Sequence, residues 1–295
     1  MTKLFELNKR TNTNESHKSD SLSPLPKTKF AFPSSDEERI GNYLRDIANI
    51  SLSAMSPVHT PICITLDLSG SMNSYFESIK FLFTDMTKEL MSVGRSQRQY
   101  TLIIMIINNG VPSLGYIGNL RDFDCAEFVK GLPKPYGRTP LAKSFNMADN
   151  ILDRLYNVLE TNRHWYTVPV FFSITDTEEN GSKDDCTAAV KKYTEDIKEN
   201  KKLFIEFVTK KNPNGLKLGG YRVFIDGNSS TETIKSFVDA LRTATSTNVK
   251  LDDTSSKSNK PAKADRDAFN AYYTDTMLFN FKMCFSRVSE EDSKS

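Results

Sequence analysis

The chain is poor in the residue types that carry redox and zinc chemistry. Its 295 residues include four cysteines, three histidines and one tryptophan. Cys63, Cys125, Cys186 and Cys284 lie far apart and form no Cys-x-x-Cys pair, which excludes a zinc ribbon and a thioredoxin-like motif. Cys63 sits in an apolar run and reads as a small buried hydrophobe. His17, His59 and His164 lack any partner pattern for acid–base catalysis and read as structural or exposed. Charge of one sign is also missing. Against 39 Lys and Arg stand 37 Asp and Glu, a formal net charge of +2, so no global field points to nucleic acid or an anionic membrane. No window approaches the ~18 apolar residues of a membrane span, and Met1 to Leu7 begin no apolar stretch of signal-peptide length. Lys210, Lys211 and Lys217 stand beside Gly215, Gly219 and Gly220, but no Gly-x-x-x-x-Gly-Lys-Ser/Thr loop exists, which argues against a nucleotide site. The expectation is a soluble, cytoplasmic protein with no nucleic-acid or membrane partner.

Composition divides the chain. Residues 1–35 and the linker 246–266 are rich in small polar residues and lack apolar periodicity, so both read as flexible. Residues 36–56 suggest a short helix, with Ile40, Tyr43, Leu44, Ile47 and Ala48 on one face, packing on the body. The body, 57–245, is long enough to bury a core. Residues 267–295 form an aromatic-rich segment in which Met277 to Phe285 alternates like a strand. That run is expected to pack on the body, with a free docking segment as the competing reading.

Within the body, Ile62 to Leu66, Tyr100 to Ile107, Val168 to Thr175 and Leu203 to Val208 are continuous apolar runs, as expected of strands covered on both faces. Asn108-Asn109-Gly110 predicts a tight turn into an antiparallel edge strand, Ser113 to Ile117. A second edge strand is expected at Tyr221 to Ile225. Helical spacing marks Phe76 to Leu90, Asp124 to Leu132, Leu141 to Leu159, Asp185 to Asn200 and Thr231 to Ala244. Pro140 suits the first position of its helix, with Thr139 as N-cap. Strands alternating with helices predict an α/β fold: a doubly wound, mostly parallel central sheet with helices on both faces and one antiparallel edge strand. In such a sheet the ligand site lies beyond the carboxyl ends of the strands, where the strand order reverses.

Asp67 and Asp176 each end a central strand, and Asp67-Leu68-Ser69-Gly70-Ser71 opens a helix. With Thr139, these residues place two carboxylates and three hydroxyls at one rim. Hard oxygens in that ratio suit Mg²⁺, with Mn²⁺ or Ca²⁺ as the other candidates. Two carboxylates balance a dication and leave it able to accept a further acidic oxygen. The loop carrying Glu178, Glu179, Asp184 and Asp185 reads as a solvated acidic face.

Asp67-x-Ser69-x-Ser71 after an apolar strand, Gly137-Arg138-Thr139-Pro140-Leu141 before a long helix, and Ile174-Thr175-Asp176 ending the next strand resemble a metal-ion-dependent adhesion site. That site belongs to the von Willebrand factor type A domain family, and the resemblance covers residues 58 to 245. Through Arg138-Thr139-Pro140-Leu141 the chain looks most like bacterial cytosolic members found beside tellurium-resistance and related stress or defence genes. The resemblance implies that Ser69, Ser71 and Thr139 ligate the metal directly and that Asp67 and Asp176 bond it directly or through water. A partner protein's Glu or Asp would complete the shell. It implies a non-catalytic binding module in a stress-response or antiviral phage-defence complex, with an ATPase, kinase or phosphatase among the companions. The family usually has Gly after the Asp aligned with Asp176, whereas this chain has Thr177. A strand-end Asp with Mg²⁺ also describes haloacid-dehalogenase-like phosphatases, with Asp67 as nucleophile. Those enzymes need a second Asp two residues on, and Ser69 stands there. A third reading is a scaffold with a vestigial metal site that binds through its C-terminal segment.

Overall fold

The computed structural model describes residues 33–50, 58–93, 98–199, 201–209, 216 and 218–224, with the single positions 268 and 275. Residues 1–32 of the first expected flexible segment, the linker 246–266, the helix Thr231 to Ala244 and the alternating run Met277 to Phe285 lie outside the described residues, as does most of the basic loop Lys210 to Gly220; Ser34 and Ser35, expected to be flexible, already belong to a helix.

In chain order the elements are α1 (Ser34–Ala48), β1 (Val58–Asp67), a 3₁₀ turn (Gly70–Tyr75), α2 (Phe76–Val93), β2 (Arg98–Asn108) and β3 (Val111–Asn119). A second 3₁₀ turn (Leu120–Asp122), α3 (Cys125–Lys130), α4 (Leu141–Thr161), β4 (Val170–Thr175), α5 (Lys183–Lys198), β5 (Leu203–Val208) and β6 (Tyr221–Phe224) follow. The strands form one six-stranded sheet in the order β3-β2-β1-β4-β5-β6. Every neighbouring pair is parallel except β2 and β3. Asn109 and Gly110, both with positive φ (53° and 72°), make the turn of that antiparallel pair, as a tight hairpin requires. The chain is therefore an α/β protein with a doubly wound, mostly parallel sheet.

Alternation along the strands divides the interior into two cores. Ile62, Ile64 and Leu66 of β1, Leu102 and Ile104 of β2, and Phe172 and Ile174 of β4 face Ile79, Phe83, Met86 and Leu90 of α2. Cys63, Ile103, Met105, Phe171 and Phe204 point the other way, into a core built with α1, α4 and Tyr193 of α5. Burying both faces explains why these strands read as continuous apolar runs. The helix α1 docks through Ile40, Leu44 and Ile47, and Arg154 of α4 holds Glu37 at 2.9 Å.

β1 begins at Val58, four residues before its apolar run, and includes Pro61 although the strand is central. A central proline lacks a ladder donor. The backbone of His59 bonds Trp165 and Thr167 on the β4 side, and Pro61, two residues on, faces the same side before the β4 ladder begins at Ile62. His59 itself packs edge-on against His164, ring centroids 4.9 Å apart. Burial, aided by His164, pushes its imidazole down to about 3, so it stays neutral and structural.

On the outer edge, Gly115 is an extra residue of β3, since Ile104 pairs with Tyr116 and Met105 with Leu114. The guanidinium of Arg39 donates to the carbonyls of Leu114 (3.1 Å) and Gly115 (2.8 Å). Behind the other core, Asp149 of α4 accepts from Lys202 (2.7 Å), Lys192 (2.6 Å) and the Tyr193 hydroxyl (3.1 Å). Lys202 is buried, reaches Asp196 at 3.2 Å and stands 3.7 Å from the Tyr193 ring centroid. This cluster fastens α4, α5 and the start of β5 together. Asp149→Ala strips Lys202 of its strongest partner and is expected to cost about 3–5 kcal/mol, read as a shift in the urea midpoint.

Candidate metal centre

The strand order reverses between β1 and β4. From β1 the chain winds outward through β2 and β3, then returns through α4 to place β4 on the opposite side of β1. Asp67 ends β1 and Asp176 follows β4, so both acids flank the crevice where open α/β sheets hold ligands.

Asp67 is fully buried. Its Oδ1 accepts from the Ser69 N–H (3.0 Å) and its Oδ2 from the Thr175 hydroxyl (2.8 Å). Burial pushes its carboxyl up to about 6; the bonds from Ser69 and Thr175 oppose that rise and the charge of Asp176 adds to it. Ser69 is buried and Ser71 exposed, their hydroxyl oxygens 3.2 Å apart.

The second loop, 133–140, is tied to the first by its backbone. Tyr136 N–H donates to Leu68 O (2.9 Å) and Gly70 N–H donates to Gly137 O (2.9 Å). Asn108 at the end of β2 donates through Nδ2 to both Leu68 O (3.0 Å) and Lys134 O (2.8 Å). Asn109 N–H reaches Tyr136 O at 2.7 Å. Gly137 has φ +80°, and a Cβ there would lie 2.5 Å from Asn109 Cα, so close approach to the hairpin requires glycine at this position.

The expectation that Thr139 caps α4 is corrected. The helix starts at Leu141 with Pro140 in the cap position and no side-chain cap of its own. Glu179, from the loop after β4, supplies the missing acceptor: its Oε2 takes the Ala142 N–H at 2.8 Å and its Oε1 the Gly181 N–H at 2.6 Å. An anion at a helix N-terminus is favoured by the dipole as well as by the bond. Glu179 is thus no solvated acid, and its half-buried site raises its carboxyl. Thr139 is 1% exposed, and its carbonyl accepts from Asn180 N–H at 3.0 Å.

Asp176 is buried, and its Oδ1 accepts from Glu178 N–H at 3.1 Å. Thr177 has φ +62°, a left-handed conformation that costs a β-branched residue energy. That geometry is the reason glycine suits the position. It is held by the Thr177 N–H bond to Thr175 Oγ1 (2.9 Å) and by Leu216 N–H on the Thr177 carbonyl (3.0 Å).

Asp67, Ser69, Ser71, Thr139 and Asp176 therefore come from three loops that hydrogen-bond to one another at one rim. Thr175, Asn108, Gly137 and Glu179 hold them there and were not singled out as site residues in the sequence. Thr175 carried a signal, a hydroxyl at a buried strand end beside Asp176; Glu179 carried none, because its target lies 37 residues away. Among the described residues no group of three or more His, Cys, Asp and Glu side chains forms a metal site, so any cation here rests on hydroxyls as well as acids. The donor set fits a hard cation: all oxygens, two of them on buried acids, and a threonine that does not cap its helix.

No family model matches the chain, and no curated protein matches it. It is similar to solved structures. A von Willebrand factor type A protein from Catenulispora acidiphila aligns at 14% identity over 62% of this chain and 42% of its own, with TM-score 0.45. Manganese-loaded TRAP protein of Plasmodium vivax aligns at 14% identity over 62% and 74%, TM-score 0.41. The pilus adhesin SpaC of Lactobacillus rhamnosus GG aligns at 9% identity over 66% and 30%, TM-score 0.43. The chain thus spans less than half the length of the first and less than a third of the third.

Two outcomes are expected from this geometry. At ordinary φ, glycine is less stable than alanine; at Thr177 the order reverses, with Thr177→Gly exceeding Thr177→Ala by ~1 kcal/mol in urea denaturation. Asp67 binds its proton more tightly folded than unfolded. Its contribution to stability is therefore full below pH ~4 and lost as pH rises through about 6. In chelator, Asp67→Asn should gain about 2 kcal/mol relative to the parent protein between pH 4 and 7.5, measured by urea titration at each pH.

Proposed function

We propose that this chain is a von Willebrand factor A-type binding module that uses a divalent cation to capture an acidic side chain of another protein. Asp67, Ser69, Ser71, Thr139 and Asp176 hold the ion, with Mg²⁺ first and Mn²⁺ or Ca²⁺ as alternatives. The ion supplies an electrophilic centre for a carboxylate oxygen. The protein's own part is to bury Asp67, to aim the serine hydroxyls through the Gly70–Gly137 bond, and to keep the Thr139 hydroxyl available.

One observation carries this reading. Glu179 takes over the capping of α4, so Thr139 is not spent as a cap, and its loop is bonded through Gly137 and Gly70 to the turn that carries the buried Asp67. Simple helix capping explains neither feature. A phosphatase reading is weaker, because Ser69 occupies the place of the second acid and a hydroxyl does not serve as a proton donor near neutral pH.

By the resemblance carried in Arg138-Thr139-Pro140-Leu141, the module works in the cytoplasm, in a bacterial stress-response or phage-defence complex of the tellurium-resistance kind. An ATPase, kinase or phosphatase is among its companions. Among the described residues no helix is long and apolar enough to cross a membrane.

Asp67→Ala and Thr139→Ala are expected to retain the circular dichroism spectrum and to lose the Mg²⁺-dependent rise in melting temperature and calorimetric Mg²⁺ binding. The proton competes with the cation for Asp67, so Mg²⁺ affinity should fall as pH drops through about 6. Equal Mg²⁺ binding by the parent and both variants would overturn the assignment.

A further inference from the structure

We infer that the ridge Lys134–Tyr136–Arg138, with Val111 beside it, is a recognition surface for an acidic protein segment that carries an apolar side chain next to its acids. The proposal rests on the metal-binding reading above and specifies which partner that site accepts.

In the loop 133–140 Pro135 and Thr139 are buried, while Lys134, Tyr136 and Arg138 stand in solvent. Tyr136 is 67% exposed and Val111, at the start of β3, is 58% exposed; they are among the few large apolar residues of the described chain so placed. The two are neighbours through the hairpin turn, since Asn109 N–H bonds Tyr136 O and the Arg138 Cβ lies 3.6 Å from the position a Gly110 Cβ would take. Among the described residues no acid pairs with Lys134 or Arg138.

Exposure alone would mean little, but the backbone beneath this ridge is fixed. Lys134 O, Tyr136 N–H, Tyr136 O and Gly137 O are each bonded to Asn108, Leu68, Asn109 or Gly70, and Pro133, Pro135 and Pro140 stiffen the run. A tyrosine presented on an immobilised loop loses little entropy on contact, and Tyr and Arg dominate binding energy at protein interfaces.

Charge sets the direction of approach. The ridge joins the site through the Gly70–Gly137 bond and is basic. The loop 178–185, bonded to Thr139 through Asn180, carries Glu178, Asp184 and Asp185. An acidic segment with one carboxylate on the cation is therefore drawn over the ridge and repelled from that loop. Its second acid meets Arg138 or Lys134, and its apolar side chain meets Tyr136 and Val111.

The test selects a phage-displayed library of random 12-residue peptides on the full chain in Mg²⁺. The strongest peptide is then measured by calorimetry against Tyr136→Ala, Arg138→Glu, Glu178→Lys and Asp67→Ala, each first shown to melt like the parent. The expected result is enrichment of peptides pairing Asp or Glu with an aromatic or aliphatic residue. Affinity should fall about tenfold or more in Tyr136→Ala and Arg138→Glu, and should hold in Glu178→Lys. Acidic peptides that bind only with Mg²⁺, fail on Asp67→Ala and ignore the ridge variants would overturn the ridge and leave the metal reading standing. Acidic peptides that need the ridge but bind equally in chelator would retain the ridge as an acidic-segment site and sink the metal reading. Absence of acidic enrichment, or a ridge-dependent affinity for a 20-nucleotide oligo-dT exceeding that for any peptide, would overturn the proposal.

Discussion

The Asp67 carboxylate joins the two strands between which the sheet reverses direction. One oxygen holds the Ser69 amide and fixes the turn leaving β1; the other takes the Thr175 hydroxyl and ties down the end of β4. The same Thr175 hydroxyl accepts the Thr177 amide, so the third loop is set by the first. Burial makes this anion costly, yet its position at the crevice between parallel strands gives it a reason to exist. Groups optimised only for stability would not leave a raised-pKa acid in the centre of a sheet.

Much of the fold could be read from the residues, because the patterns involved are local. Continuous apolar runs marked strands covered on both sides, Asn109-Gly110 marked the hairpin, and Leu141 to Leu159 marked the long helix by its repeat. Asp124 capped α3 as its residue type suggests, accepting from Glu127 N–H at 3.0 Å. Errors arose where a local preference was overridden from afar. Thr139 followed by Pro140 has the composition of a helix start, but Glu179 fills that role from the next loop. The loop 178–185 looked uniformly solvated because composition does not reveal which one of several acids turns inward. Lys202 and Asp149, separated by 53 residues, gave no sign of meeting. The residue Thr177 was legible as a departure, and its positive φ supplies the physical content of that departure.

The three loops differ in how they are held. The first and second share backbone bonds and a glycine-to-glycine approach, a geometry with little slack. The third is held by Thr175 beneath it and Glu179 across it as well as by backbone bonds to Thr139 and Leu216, and contains the strained residue. Strain gathered in one loop of a site whose other loops are rigid makes that loop the one whose conformation responds most readily to occupancy.

The Arg39 contacts on β3 bear on behaviour in a crowded solution. An outer strand with vacant carbonyls invites other chains to pair with it, and sheets with such margins grow into fibres or stacked dimers. Here the bulge at Gly115 breaks the regular spacing and a guanidinium from α1 occupies the carbonyls a visiting strand would seek. The hairpin containing this strand also buttresses the loops of the candidate site, through Asn108 and Asn109. The short helix ahead of the sheet thus covers part of the edge of the element on which that rim rests.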